Sequence, residues 1–507
     1  MSAAGCCGAT DTEPLMASNG LMPPTSTEMP SAICSVHGVF WLTVLAGIAM
    51  AIVDGTVLQT WWIIPVALLA PLLFVFSFTL VICVAPMCGC FAMSSRLQTS
   101  LVQHPKHLLS RLTLPWITVI QGLHMCDNAY CQRIRASMGK NYVLAGMVGV
   151  SDYETVAFTL KSAQHRTDYL GAQPLTNLPK VDREIFLLSM ANTAKELNHD
   201  KFVACFYHYM FREGFEERLK SEKAKKCWAQ LAEDYKTMPH GEGEQFYTED
   251  ATGLRGFFIR YFFYVMLGTD TEDPEIMKDL VAMMRGDTPI AMCYLWPFAV
   301  PNLMGSTIKK VDDRIFNSSS LAKFVEGEEK FANMTKLELT RLTTCIMRLA
   351  AITGTLQLAK SVTGGLTMPP FEDMDKTNVA AEWDKLDLAD EQALQNFCLE
   401  VARLHPPVSS VHHIATEAFS ATIQGRVVDF PAGTKILVPT NLAMTDVDTW
   451  GVDAFKFNPS RPALQEKNMV FANVGKQGTR VCPGQYLAMD TCVEILRVLG
   501  KVRREGK

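Results

Sequence analysis

Hydrophobic and polar positions along this 507-residue chain fall into three regimes. The first is continuous apolarity. Gly38 to Val53 carries no charge, Asp54-Gly55 interrupts it, and Trp61 to Met93 again carries none. The second block exceeds the roughly 20 residues that cross a bilayer as a helix, even with Pro65, Pro71 and Pro86 inside it. A buried core helix would show a polar face, and none is visible here. Trp61 and Trp62 suit an interfacial aromatic anchor, and Arg96, Lys106 and Arg111 follow on the side expected to stay cytosolic. The pattern predicts a membrane anchor of one helix or a hairpin of two, with the hairpin favoured.

The second regime is helical. From Val181 onward apolar residues recur with a helical period over Arg183 to Leu197, Phe202 to Lys225 and Leu254 to Leu267. Asp273-Pro274 opens a further helix through Arg285, and Asp312 to Phe324 and Leu337 to Lys360 continue the series. The third regime is short and extended. Tyr142 to Val150 reads as a strand, and Ala421 to Leu437 turns β-like around Pro431-Ala432-Gly433. The expected fold class is mostly α with a small β-sheet. The expected division is a disordered tail at 1–37, the anchor at 38–93, a linker at 94–140 and a globular domain at 141–507.

Composition narrows the function. Charged residues make up 20% of the chain and the net charge is −5, so no nucleic-acid partner is indicated. Residues 1–37 lack Lys and Arg, which argues against a cleaved secretory signal. The 15 cysteines are scattered without paired spacing, so neither a zinc site nor a disulfide framework is expected.

Candidate chemistry concentrates near the end. In Gly478-Thr479-Arg480-Val481-Cys482-Pro483-Gly484, two glycines let the backbone approach a flat ligand, and Pro483 favours a helix start beside the sulfur. Amides at such a start stabilise a thiolate. Upstream, Glu400 and Arg403 stand at i and i+3 on one helical face, and Arg461 in Asn458-Pro459-Ser460-Arg461 offers a second cation.

This ordered set, Glu-x-x-Arg, Pro-x-Arg and Gly-x-Arg-x-Cys-x-Gly, resembles the cytochrome P450 superfamily, densely from about Phe397 to Gly500. The resemblance implies a P450-like helical fold preceded by one or two transmembrane helices, and a heme iron with Cys482 as its axial ligand and only metal-binding residue. Electron donation from such a thiolate favours O–O cleavage. The resemblance also implies that Glu400, Arg403 and Arg461 buttress the cysteine loop, that Arg480 pairs with a heme propionate and that His413 is a weaker propionate candidate. Gly478, Gly484 and Phe471 would border the heme.

Four features depart from the family pattern. On the segment resembling the distal helix, Thr353 stands where the family has an acid and Gly354 where it has a threonine, leaving Thr355 as the nearby hydroxyl. Gly475 holds the position of the usual aromatic residue, with Phe471 four residues earlier. Only 25 residues follow Cys482. The propionate-binding Trp-x-x-x-Arg pattern is not evident, since Trp228 has Ala232 four residues on.

Three functions remain open. The first is a membrane-anchored monooxygenase of a small apolar or lipid-like substrate, served by a flavoprotein reductase and facing the cytosol from the endoplasmic reticulum. The second is a reductant-independent enzyme that rearranges fatty-acid hydroperoxides. The third is a non-catalytic heme-binding protein.

Overall fold

In a computed structural model, the described residues are 49, 63–122, 128–161, 214–285, 313, 347–366, 378–415, 417–471 and 481–506. The expected tail at 1–37, the first apolar block at Gly38 to Val53, the helices at Arg183 to Leu197 and Asp312 to Phe324, and Gly475, Gly478 and Arg480 lie outside them, residues 49 and 313 excepted.

Among the elements with described bounds, four helices come first: α1 (Ile63–Met87), α2 (Phe91–Gln103), α3 (Leu108–Gly122) and α4 (Asn128–Met138). The stretch expected as a linker is thus largely helical. α1 runs 25 residues without a charged side chain. Among the described residues no helix is long and apolar enough to cross a membrane.

The segment read as one strand from Tyr142 is a hairpin of β1 (Asn141–Leu144) and β2 (Met147–Val150). Ala145 and Gly146 both take positive φ, the conformation that a two-residue hairpin turn demands. The run is apolar throughout because both strands are fully buried, which hides the turn from a period-based reading. α5 (Tyr153–Lys161) follows.

The helical body begins with α6 (Phe215–Lys220) and α7 (Glu222–Thr237). These two divide the helix expected through Lys225. Ser221 is extended and its hydroxyl accepts from the Ala224 amide, so it caps a new helix instead of continuing the old one. α8 (Gln245–Thr248), α9 (Gly253–Leu267) and α10 (Pro274–Arg285) come next. A π-helical turn at Met347–Ile352 leads into α11 (Thr353–Val362), followed by α12 (Val379–Asp384) and α13 (Glu391–Leu404). Asp390 caps α13 by accepting from the Ala393 amide.

β3 (Val411–Ile414), β4 (Phe419–Ile423), β5 (Arg426–Phe430) and β6 (Lys435–Val438) complete two sheets. The larger has the order β1-β2-β6-β3, with β2 and β6 parallel and the other pairs antiparallel; β4 and β5 form a separate hairpin. Three short helices follow, α14 (Thr440–Ala443), α15 (Val447–Trp450) and α16 (Leu464–Lys467), before the terminal α17 (Gln485–Glu505). The mostly helical chain with a small sheet component is therefore as expected.

The main core is where α7, α9, α11, α13 and α17 meet. α9 is apolar on nearly every face, with Phe257, Phe258, Phe262 and Phe263 buried, which suits a central helix. α17 is fastened along its length. Trp383 donates to the Leu496 carbonyl at 3.2 Å, and Arg503 holds Asp384 through two 3.0 Å bonds. Gly500 admits Leu388 and Trp383 where a Cβ would stand 2.9 Å from the Leu388 side chain.

Gly253 opens α9 at φ +59°, and a Cβ there would lie 2.3 Å from the Phe246 carbonyl oxygen. Backbone cannot yield as a flexible side chain does. Gly253→Ala is expected to cost about 1–3 kcal/mol, the range for overpacking. Gly433→Ala, at positive φ but with open space around it, should cost only about 1–2 kcal/mol of backbone preference. Thermal unfolding of the solubilised protein checks the order: the Gly253 variant melts lower.

Candidate functional site

The best-defined cluster begins on α13. Glu400 and Arg403 are one helical turn apart, and both side chains are 0% exposed. Arg403 Nε donates to Glu400 Oε2 at 2.7 Å and Nη2 to Oε1 at 2.8 Å, a bidentate pair. The rest of the guanidinium binds backbone: Nη1 donates to the Met444 and Ala454 carbonyls, both at 2.7 Å, and Nη2 to the Lys456 carbonyl at 3.3 Å. Its carbon lies 5.0 Å from the Trp450 ring centroid. Glu400 Oε1 also accepts from the Asn458 amide at 3.0 Å and stands 3.6 Å from Arg461 Nε. Arg461 completes the knot through Asp453 and the Trp450, Asp453 and Lys456 carbonyls. It also holds the Asp453 carboxyl below its usual pKa.

The structure therefore brings Glu400, Arg403 and Arg461 together, and the product is a clamp. An irregular segment from Met444 to Arg461 cannot pair its own carbonyls in a ladder, so two buried arginines supply donors instead. The charge pair was legible in the spacing. The carbonyls it serves were not, since they depend on where a distant loop returns.

From the clamp a short route leads to the cysteine. Asn468 donates to the carbonyl of Leu399, the residue before Glu400, at 3.0 Å. The Asn468 side chain accepts from the Val470 amide at 2.9 Å, and the next residue, Phe471, accepts from the Cys482 amide at 3.2 Å. Phe471 thus lies beside Cys482 along the backbone, and its ring joins the edge of the main core. Cys482 is half-buried, just before α17. Burial pushes its thiol pKa up, and a hydrogen bond from the Gly484 backbone acts the other way.

Thr355 is buried and Thr353 half-buried at the start of α11, which packs on both α13 and α17. A Cβ at Gly354 would meet nothing within 4 Å, so this helix start borders open space. His413 is buried on β3 opposite Ile436. Arg480 and Gly478 lie outside the described residues. Trp228 sits in an aromatic group, 4.6 Å from Phe257 and 5.3 Å from Tyr261 by ring centroids.

A cleft of about 490 Å³ opens beside Pro483, lined by Trp228, Tyr261, Tyr486, Leu487 and three acids, Glu391, Asp490 and Glu494, with Arg497. Burial, aided by Glu391, pushes the Asp490 carboxyl pKa up. Among the described residues no His, Cys, Asp and Glu grouping is arranged to hold a metal by itself.

Removing Glu400 leaves Arg403 charged and unpaired in the core, a loss of about 3–5 kcal/mol. Glu400→Ala is expected to give protein that misfolds or fails to retain heme. The check is yield and heme content after solubilisation.

The comparisons agree with this geometry. A family model described as Cytochrome P450 matches residues 380–497, which spans α13 and most of α17. "Cytochrome P450 71A14" of Arabidopsis thaliana is 32% identical over 108 residues, 20% of this chain and 21% of that protein. "Secologanin synthase 1" of Catharanthus roseus is 38% identical over 97 residues, 18% of this chain and 17% of that protein. The match thus spans about a fifth of these relatives' length. Among solved structures, a mutant of P450 EryK in complex with erythromycin B aligns with TM-score 0.50 at 15% identity, covering 76% of this chain and 88% of that one. That likeness concerns the fold alone. Cys482 before α17 and the buried Glu400–Arg403–Arg461 clamp both lie within the matched residues, and over that stretch the chain is similar to the cytochrome P450 superfamily, whose cofactor is a heme iron with thiolate ligation.

Proposed function

We propose that this protein is a membrane-anchored heme-thiolate monooxygenase of a small apolar or lipid-like substrate. The observation that carries the reading is Cys482, whose backbone amide donates to the Phe471 carbonyl, whose thiol meets the Gly484 backbone before α17, and which is tied back to a buried charge clamp. The residues present fit a flat prosthetic group. A Cβ at Gly484 would touch only the Cys482 sulfur, at 3.9 Å, and Gly354 faces space. When bound, the heme supplies oxygen-activating redox chemistry with the cysteine as its electron-donating ligand.

The chain's own residues have separate duties in this reading. Cys482 is the only protein ligand to the iron, and Gly478 and Gly484 let backbone pass close to the ring. Arg480, with His413 as a second candidate, meets the propionates. Phe471 shields the sulfur. Glu400, Arg403 and Arg461 hold the loop's shape without touching substrate. Thr355, with Thr353 one half-turn before it, positions a water or a proton, since a hydroxyl both donates and accepts. The domain at 141–507 faces the cytosol from the endoplasmic reticulum, α1 serves the anchor at 38–93, and a flavoprotein reductase supplies electrons. The cleft beside Pro483 gives such a partner an approach to the Cys482 side of the domain.

A second reading is favoured by one observation. No carboxylate occurs anywhere from Met347 to Val362, so the proton source that oxygen activation uses is missing from this helix. Rearrangement of fatty-acid hydroperoxides draws its oxygen from the substrate and has no need of that relay.

Carbon monoxide added to the reduced, solubilised protein is expected to give the red-shifted Soret band of a thiolate-ligated heme. Cys482→Ala should abolish it, whereas Cys492→Ala, a buried core position on α17, should leave it intact. Unchanged absorption in Cys482→Ala removes the reading.

Turnover separates the two activities. Thr355→Ala should lower it while the carbon monoxide spectrum stays. Thr353→Asp should improve coupling of reductant to product in a monooxygenase and give no benefit in an enzyme fed a lipid hydroperoxide without reductant.

A further inference from the structure

α3 is built inside out. Its outward side carries Leu108, Leu112, Trp116 and Ile120, one per turn and 37–44% exposed. Its inward side carries Ser110, Thr113, Thr118 and Gln121, all buried, beside Leu109 and Ile117. A helix on a water-facing surface shows the reverse. α2 follows suit, burying Ser94, Ser95, Gln98 and Ser100.

The buried polar groups form a connected seam. Gln98 donates to Ser94 Oγ and to Gln121 Oε1, both at 2.9 Å. Ser94 and Gln121 each donate to the Ile82 carbonyl of α1 at 2.9 Å. The seam continues into the sheet: the Ala145 amide donates to Gln121 Oε1 and the Gly146 amide to Gln98 Oε1, both at 2.8 Å, and the Val143 amide donates to Ser95 Oγ at 3.1 Å. At Gly146 a Cβ would stand 2.8 Å from Thr118 Oγ1, so the hairpin turn is seated tightly against α3.

We propose that α1, α2 and α3 form one unit whose apolar outside is seated in a lipid bilayer, with the Leu108–Ile120 stripe of α3 as a second membrane contact beside α1. This rests on the anchoring reading given above. Polar side chains satisfied between helices and apolar ones outside are what a lipid surrounding selects. α1 packs directly on α3 and is itself exposed at Leu72, Leu73, Phe76, Leu80 and Val84. Charge argues for lipid over a second protein copy. No Asp or Glu occurs between Asp54 and Asp127, while Arg96, Lys106 and Arg111 are exposed there, as an anionic headgroup layer favours. Trp116 on the stripe suits the headgroup boundary.

The test is photolabelling of the full chain in microsomal membranes with a phosphatidylcholine carrying a diazirine in its acyl chain. Adducts are mapped after trypsin. Label is expected both on the segment ending at Arg96, which contains α1, and on the peptide 112–133, which contains Trp116. Label confined to the first segment overturns the second contact and leaves the anchor standing. Label on neither overturns both. In a Leu112→Glu, Trp116→Glu double variant with unchanged heme content, labelling of 112–133 should fall at least tenfold while the first segment keeps its label. Unchanged labelling of 112–133 overturns the proposal. So does a photoreactive residue at Trp116 that crosslinks to a second copy of the chain instead of to lipid.

Discussion

The Glu400–Arg403 pair is the constraint on which the rest of the domain depends. Both groups are fully buried, so neither tolerates loss of the other. Its value lies less in Coulomb attraction than in what the spare hydrogen bonds reach. Three backbone carbonyls between Met444 and Lys456 accept from Arg403, and this segment has no ladder of its own. Arg461 repeats the arrangement from the far end, binding carbonyls at Trp450, Asp453 and Lys456. A loop of irregular backbone is thereby held as firmly as a sheet. Through Leu399, Asn468 and Phe471 that firmness passes to the backbone of Cys482. A thiolate ligand needs this kind of fixed support, because an iron–sulfur distance cannot be kept by a mobile loop.

How much of this was legible in the sequence depended on locality. Glu400 and Arg403 lie three residues apart on a helix with a clear apolar period, so their meeting follows from helix geometry alone. Cys482 announced itself through the glycines and proline around it. Helices α9 and α10 stand where the period put them, to within a residue or so. The failures were of two kinds. Ser221 splits a continuous helical pattern because its own hydroxyl caps the next helix, a choice that periodicity does not register. Ala145-Gly146 turns a buried run back on itself, and a run that is apolar on both sides of the turn gives no alternation to mark the reversal. The carbonyl partners of the arginines were invisible for a third reason: they belong to long-range packing, which no local window contains.

If α11 forms the distal side, as the proposed reading has it, fold and chemistry part company there. α11 occupies the position that links α13 to α17, and its first turn borders open space at Gly354. The scaffold for a pocket is thus retained. What α11 lacks is the acid. The π-helical turn at Met347–Ile352 immediately precedes Thr353, and such turns are frequent at functional sites. Two threonine hydroxyls make a polar setting without a carboxylate. It can hold water, but it cannot deliver a proton at the rate a nearby acid can. On the proposed reading, the choice between the two activities turns on whether the substrate arrives with its oxygen already bound.

The N-terminal helices constrain the same question from outside. Were α1 to α3 joined to the domain by a flexible link, the pocket could face the membrane at any angle. Instead Gln98 and Gln121 spend one amide group each on the amides of the β1–β2 turn, and β2 pairs directly with β6 of the central sheet. Rotating the domain against the helices would strand two buried backbone donors and the Gln98 side-chain acceptor, a loss of about 1–3 kcal/mol for each group left unpaired. Thermal motion does not supply several such losses together. If the outer face of those helices lies in lipid, the sheet edge at Ala145 and Gly146 is held at a fixed depth, and apolar substrates must enter a domain whose tilt is already set. On the proposed reading, selection among lipid-like molecules would then begin with where they sit in the bilayer, before any contact with the heme.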